Sequence, residues 1–160
     1  MSCQLTALRP DVLDAATGKV VTAESDDTFS FTLNFAGGGM AMMIASFAAT
    51  PTRGARIAVM GDDGTLIAEQ AGPNPTDDGV VVGSRKGSPL AVLPTPVQFQ
   101  LDGDARDHRL MAFRRLVRDF TDGIAKGRSP NPNFEDGWRC QQVLDAARLS
   151  SDSGALVKVG

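Results

Sequence analysis

TFSFTLNFAGGGMAMMIASFA, residues 28–48, decides what kind of fold this chain adopts. Its first eight residues alternate strictly. Phe29, Phe31, Leu33 and Phe35 fall on one face, and Thr28, Ser30, Thr32 and Asn34 on the other. A period of two with one apolar face predicts a half-buried antiparallel strand. Gly37, Gly38 and Gly39 follow, and a glycine turn between two strand patterns predicts a hairpin. The return segment does not alternate. Met40, Met42 and Ile44 point one way, and Met43 and Phe47 the other. A strand apolar on both faces must be covered on both. One cover is expected from the chain's own helices, the other from a second subunit or another domain. Met40, Met42, Met43, Ile44 and Phe47 are therefore the candidate oligomer interface.

Working outward, the first two thirds of the chain read as strands. Residues 3–8 and Lys19–Glu24 precede the hairpin. Arg56–Met60 and Thr65–Glu69 follow it, joined by the turn Gly61-Asp62-Asp63-Gly64, whose residues tolerate positive φ. Residues 70–96 are rich in Gly, Pro, Asp and Ser and predict an irregular segment with one short strand at Val80–Val82. Val97–Leu101 reads as a further strand.

The helices come late. Phe113, Leu116, Val117, Phe120 and Ile124 recur at helical spacing between His108 and Lys126, with Gly127 placed to cap the end and Pro130 beyond it. Asn133 opens the last helix as N-cap, and Asp136 stands three residues on, the spacing of a capping box. Its inward stripe is expected to be Trp138, Gln141 and Leu144 with Cys140 and Ala147. The helix should end near Ser150, and Ala155–Val159 should close the sheet. Strands first and helices last give the α+β class. We expect an open, largely antiparallel β-sheet with two C-terminal helices packed on one face and the other face available for dimerisation.

Composition bounds function. The chain has 160 residues, 42% hydrophobic and 22% charged, within the size and balance of a single soluble domain spanning 1–160. A net charge of −3 gives no pull toward nucleic acid or anionic membrane. No apolar run reaches the ~20 residues of a membrane span, and the N-terminus lacks the form of a signal peptide. Two distant cysteines, Cys3 and Cys140, with one histidine exclude a Cys/His zinc site and fit a reduced, cytoplasmic protein.

No self-sufficient active site stands out. Asp104 and His108 have the spacing of a proton-relay pair on a helix, but their polar surroundings predict an exposed helix entrance. FAGGGMAM lacks the spacing of a dinucleotide loop and leads into a strand, so no helix end is offered to a phosphate. GDDGT lacks the alternate acids of a calcium loop. Asp62, Asp63, Asp77, Asp78, Asp102 and Asp104 sit where turns favour Asp. Arg106, Arg109, Arg114, Arg115 and Arg118 are interleaved with Asp104, Asp107 and Asp119, which predicts a solvated helix face in preference to an anion site. No catalytic, cofactor-binding or metal-binding residue is assigned.

The order of these motifs resembles the C-terminal domain of the Gfo/Idh/MocA oxidoreductases, the NAD(P)-dependent sugar and inositol dehydrogenase group. The residues that carry it are Phe113, Leu116, Phe120, Ile124 and Gly127 in the penultimate helix, Glu135-Asp136-Gly137, Val143 to Ala147, Ser150 and Gly154 in the last, and the Asp26-Asp27-Thr28 hairpin earlier. The resemblance implies a substrate-side and oligomerisation domain of an oxidoreductase acting on a sugar, polyol or related CH–OH substrate. NAD or NADP would be bound by an N-terminal Rossmann domain that is not in this chain, so this chain alone would bind no cofactor and be inactive. The family's Glu-Lys-Pro is missing, and Asp104 and His108 follow the sheet where the family's Asp-x-x-x-His precedes it; no catalytic role passes to them. The alternative reading is a stand-alone, non-enzymatic binding or scaffolding domain of the same fold. In either case a homo-oligomer through the sheet face is expected, with neither nucleic acid nor membrane as partner.

Overall fold

The computed structural model describes residues 1–49, 54–70, 72, 79–100 and 109–160. Among the described residues every strand pairing is antiparallel, and two α-helices close the order, so the class is α+β. The chain divides into two compact units, Met1–Thr50 with Asn131–Gly160, and Pro51–Pro130.

The first unit contains β1 (Ser2–Thr6), β2 (Asp11–Leu13), β3 (Val20–Thr22), β4 (Thr28–Asn34) and β5 (Met40–Ser46). A three-stranded sheet runs β1-β4-β5, while β2 and β3 form a separate small hairpin. The expected β4–β5 hairpin is present, with Gly38 and Gly39 at φ 90° and 86° in its turn. Register fixes the two faces of this sheet. Cys3 lies opposite Phe31 and Phe31 opposite Met43; Gln4 lies opposite Ser30 and Ser30 opposite Ile44.

Helix α2 (Phe134–Ser153) covers the Cys3/Phe31 face. Its start is as expected. The Asn133 side chain accepts from the Glu135 and Asp136 amides, and the Asn133 amide donates to the Asp136 carboxylate at 2.8 Å. Of its expected inward stripe, Ala147 is buried and Trp138, Cys140, Gln141 and Leu144 are not. Ala146, Ala147 and Ser150 are buried and Val143 packs beside them, whereas Trp138, Leu144 and Cys140 are exposed. Small side chains let the helix approach closely enough for Met1, Cys3, Phe31 and Leu33 to pack on the alanine pair. The helix also runs to Ser153, one turn past the expected end, because Gly154 supplies the left-handed cap at φ 64°. Beyond it the expected strand Ala155–Val159 is absent. One reciprocal pairing remains, the Met1 amino group to the Val157 carbonyl at 2.8 Å and the Val157 amide to the Met1 carbonyl at 2.9 Å.

The second unit holds a four-stranded meander, β6 (Arg56–Gly61), β7 (Gly64–Gln70), β8 (Gly79–Arg85) and β9 (Ala91–Leu93). The short strand expected at Val80–Val82 is a full seven residues, extended by glycines that the composition had read as breakers. Gly83 is needed there. A Cβ on it would meet the Leu66 and Leu93 side chains at 2.8 and 2.7 Å. Of the strand expected at Val97–Leu101, Leu101 lies outside the described residues, and Val97–Phe99 is a 3-10 turn. The Phe99 amide donates to the Pro96 carbonyl at 2.9 Å and the Gln100 amide to the Val97 carbonyl at 3.0 Å, so these amides are spent within the turn and not on a neighbouring strand. Helix α1 (Arg109–Ala125) is present where its periodicity placed it. Its apolar stripe, Phe113, Leu116, Phe120 and Ile124, stays exposed.

Candidate functional site

The uncovered face of the β1-β4-β5 sheet presents an ordered mixture of side chains. Ser2, Thr32 and Met42 make one cross-strand row and Gln4, Ser30 and Ile44 the next. These residues line an open concavity of about 710 Å³, bordered by Ser151 and Gly154 at the end of α2. Hydroxyl and amide groups occupy β1 and β4, and thioether and alkyl groups occupy β5. Among the described residues the lining, which also takes in Cys3, Phe31 and Met43, holds no carboxylate, imidazole or amine. Such a surface can hydrogen-bond and exclude water, but it offers no group for moving a proton at neutral pH.

The candidate interface residues are placed as follows. Met40, Met42 and Ile44 share this uncovered face, and Met42 and Ile44 are each 76% exposed. Met43 lies on the opposite, helix-side face and is still half exposed. Phe47 falls just past the end of β5 and is 91% exposed.

The Asp26-Asp27-Thr28 motif is a structural joint. The Asp26 carboxylate pairs with Arg148 on α2 at 2.8 Å. The Asp27 carboxylate accepts from the Leu8 and Arg9 amides at 3.0 and 2.8 Å, and these amides, Leu8 foremost, hold its pKa below the usual carboxylate value. The Thr28 and Ser46 hydroxyls meet at 2.7 Å across β4 and β5. Ser150 and Ser151 do similar work at the sheet edge. The outward amide of Cys3 donates to the Ser150 hydroxyl at 3.0 Å, and that of Leu5 to Ser151 at 3.0 Å. The Ser150 hydroxyl donates onward to the Ala155 carbonyl at 2.7 Å. Burial under α2, the leading influence, pushes the Cys3 thiol up. Sequence reasoning noted Ser150 only as part of a motif; its spacing from Ala146 and Ala147, four and three residues, was the available signal that it faces inward.

Asp77, Asp78, Asp102, Asp104, Arg106, Asp107 and His108 lie outside the described residues. Among the described residues no cluster of His, Cys, Asp and Glu is placed to hold a metal ion, and no helix is long and apolar enough to cross a membrane. Nor do these residues fit a dinucleotide. The glycine run at 37–39 leads into a strand, and the N-terminus of α2 is occupied by its own Asn133 cap and the acids Glu135 and Asp136, which would repel a phosphate.

Comparison with known proteins agrees with this architecture. The model for the C-terminal alpha/beta domain of the Gfo/Idh/MocA oxidoreductase family matches residues 8–159. An inositol 2-dehydrogenase from Pseudomonas syringae pv. syringae is 30% identical over 80 residues, covering 44% of this chain and 24% of that protein. The crystal structure of an NAD binding oxidoreductase from Klebsiella pneumoniae superposes with a TM-score of 0.77 at 22% identity, over 99% of this chain and 45% of the other. An oxidoreductase domain protein from Kribbella flavida gives 0.76 at 21% identity, over 99% and 44%. The chain thus spans less than half the length of these relatives. By the match over nearly its whole length, it belongs to the Gfo/Idh/MocA oxidoreductase family, as that family's C-terminal α/β domain.

Proposed function

We propose that this chain is the substrate-side and oligomer-forming part of an NAD(P)-dependent oxidoreductase that acts on the CH–OH group of a sugar, polyol or related compound. The observation that carries the reading is the family match over residues 8–159. The names of an inositol 2-dehydrogenase and an NAD binding oxidoreductase among its relatives support the chemistry. Dinucleotide binding and proton transfer are assigned to a part of the protein outside these residues, because the described residues suit neither task. No step of hydride transfer is therefore routed through this chain. Its contribution is to wall the substrate space and to associate. The β5 methionines and Ile44, apolar and exposed, are proposed to be covered by a second copy.

Two measurements test this. The reading frame upstream of Met1 is expected to continue into a glycine-rich βαβ segment; an in-frame stop immediately before Met1 would favour the stand-alone binding domain. Light scattering of the purified chain is expected to show a dimer or larger species that M42D/I44D converts to monomer. A wild-type monomer at all concentrations would remove the interface from the proposal. Cofactor-dependent turnover of myo-inositol by these 160 residues alone would overturn the division of labour.

A further inference from the structure

The β1-β4-β5 sheet has two edges, and the chain finishes them differently. On the β1 edge the outward amides of Cys3 and Leu5 are taken by the Ser150 and Ser151 hydroxyls. These bonds also fix the direction of every other main-chain group in the sheet. With Cys3 and Leu5 facing outward, Ser2, Gln4 and Thr6 bond to β4 at Thr32, Ser30 and Thr28. The main chain of Phe29, Phe31 and Leu33 then faces β5, where it meets Ala45, Met43 and Ala41. The Phe35 amide keeps this alternation into the turn, donating to the Gly39 carbonyl at 3.1 Å. On β5 the amides and carbonyls of Met40, Met42, Ile44 and Ser46 are left facing away from β4. Among the described residues none bonds to them.

An open edge strand templates pairing with another strand unless a charge, a proline or a bulge blunts it. Residues 40–46, MAMMIAS, contain no charge and no proline, and their register with β4 is unbroken. Covering the outer face alone would hide Met40, Met42 and Ile44. It would leave Met43 half exposed on the helix side and Phe47 91% exposed. A strand laid beside β5 supplies neighbours on both faces.

We propose that β5 pairs edge to edge with β5 of a second copy, antiparallel across a two-fold axis at Met43, doubling the three-stranded sheet. This rests on the reading that a second copy covers β5, and specifies how. The outward residues then meet as hydrogen-bonded pairs, Met42 with the partner's Ile44 and Met40 with the partner's Ser46. Met43 stacks on the partner's Met43 at the axis, and Phe47 falls beside the partner's Gly39, where no side chain competes for the space. Since the strand is uncharged, no like charges are opposed.

The test is amide hydrogen exchange of the full chain, read by NMR over a concentration series, with molar mass taken by light scattering on the same samples. The amides of Ala41, Met43 and Ala45 bond to β4 and are the internal reference. Those of Met42 and Ile44 are expected to exchange fast in the monomer and about ten-fold or more slowly as the dimer forms. A dimer in which Met42 and Ile44 still exchange fast would overturn edge pairing and leave a covered face standing. A monomer at every concentration would remove both. Slow exchange of Met42 and Ile44 in the monomer would mean that the same chain closes this edge, and would also overturn the proposal.

Discussion

Replacing Ser150 by alanine should destabilise the first unit out of proportion to the one oxygen removed. Ser150 is 1% exposed, and its hydroxyl serves the Cys3 amide on one side and the Ala155 carbonyl on the other. Alanine leaves a donor and an acceptor without partners. A buried unsatisfied polar group costs about 1–3 kcal/mol, and the exposed flank of Ala155 lets water reach its carbonyl. The net loss should then be about 2–3 kcal/mol. With a urea m-value of about 1.5 kcal/mol/M, the midpoint falls by roughly 1.3–2 M. Trp138, the sole tryptophan, stands on α2 in the same unit, so its fluorescence follows the unit that the mutation strikes. Ser153→Ala is the control. Its hydroxyl donates to the Leu149 carbonyl on the exposed side of the helix, and its loss should move the midpoint little. If S150A unfolds within about 0.3 M of the wild type by this probe, the hydroxyl is not bridging strand and helix, and the reasoning fails.

The acid limb of stability should report Asp27. Its folded-state pKa is lowered by the Leu8 and Arg9 amides. Its contribution is therefore fully present above the unfolded value of about 3.9 and is lost as pH falls through the folded value. D27N should flatten the acid transition followed by Trp138 fluorescence, and an unaltered transition would contradict the assignment. The two thiols should react in separate phases with a disulfide reagent. Exposed Cys140 should react quickly, and Cys3, half buried with its pKa raised by burial, only slowly. A single fast phase of two thiols in the native chain would mean that α2 does not shield β1.

Much of the fold was legible because period and punctuation coincide in places. The alternation from Phe29 to Phe35, the three glycines after it, the 113–124 stripe and the Asn133 cap each specify one local answer, and the structure has each. Two of the errors share a cause. Where close packing selects small residues, hydrophobicity ceases to mark the inside. Ala146, Ala147 and Ser150 are buried while Trp138 and Leu144 are not, and Gly79 and Gly83 stand within a strand. The strand reading of Val97–Leu101 failed because the Phe99 and Gln100 amides turn back onto Pro96 and Val97. The candidate site was half legible. The two-sided apolarity of β5 was written in Met40 to Phe47, but the hydroxyl rows from β1 and β4 became a surface only once register set Ser2 beside Thr32 and Gln4 beside Ser30. The family motifs at Asp26–Thr28 and Ser150 were recognisable as strings, and their purpose, joining the sheet to the last helix, is a matter of distances.

That joint has a consequence for biosynthesis. The amide of Cys3 finds its partner 147 residues later, at Ser150. The first unit is discontinuous, with Pro51–Pro130 inserted between its two parts. At translation rates of about 5–20 residues per second, β1, β4 and β5 emerge roughly 5–20 s before the helix that covers them. During that interval Cys3, Phe31 and Leu33 present an apolar sheet face to solvent or to a chaperone, while the intervening segment has time to fold as a block of its own. The order of assembly is therefore inner segment first and outer segments last, and the early strands are the part of this chain most exposed to misassociation on the ribosome.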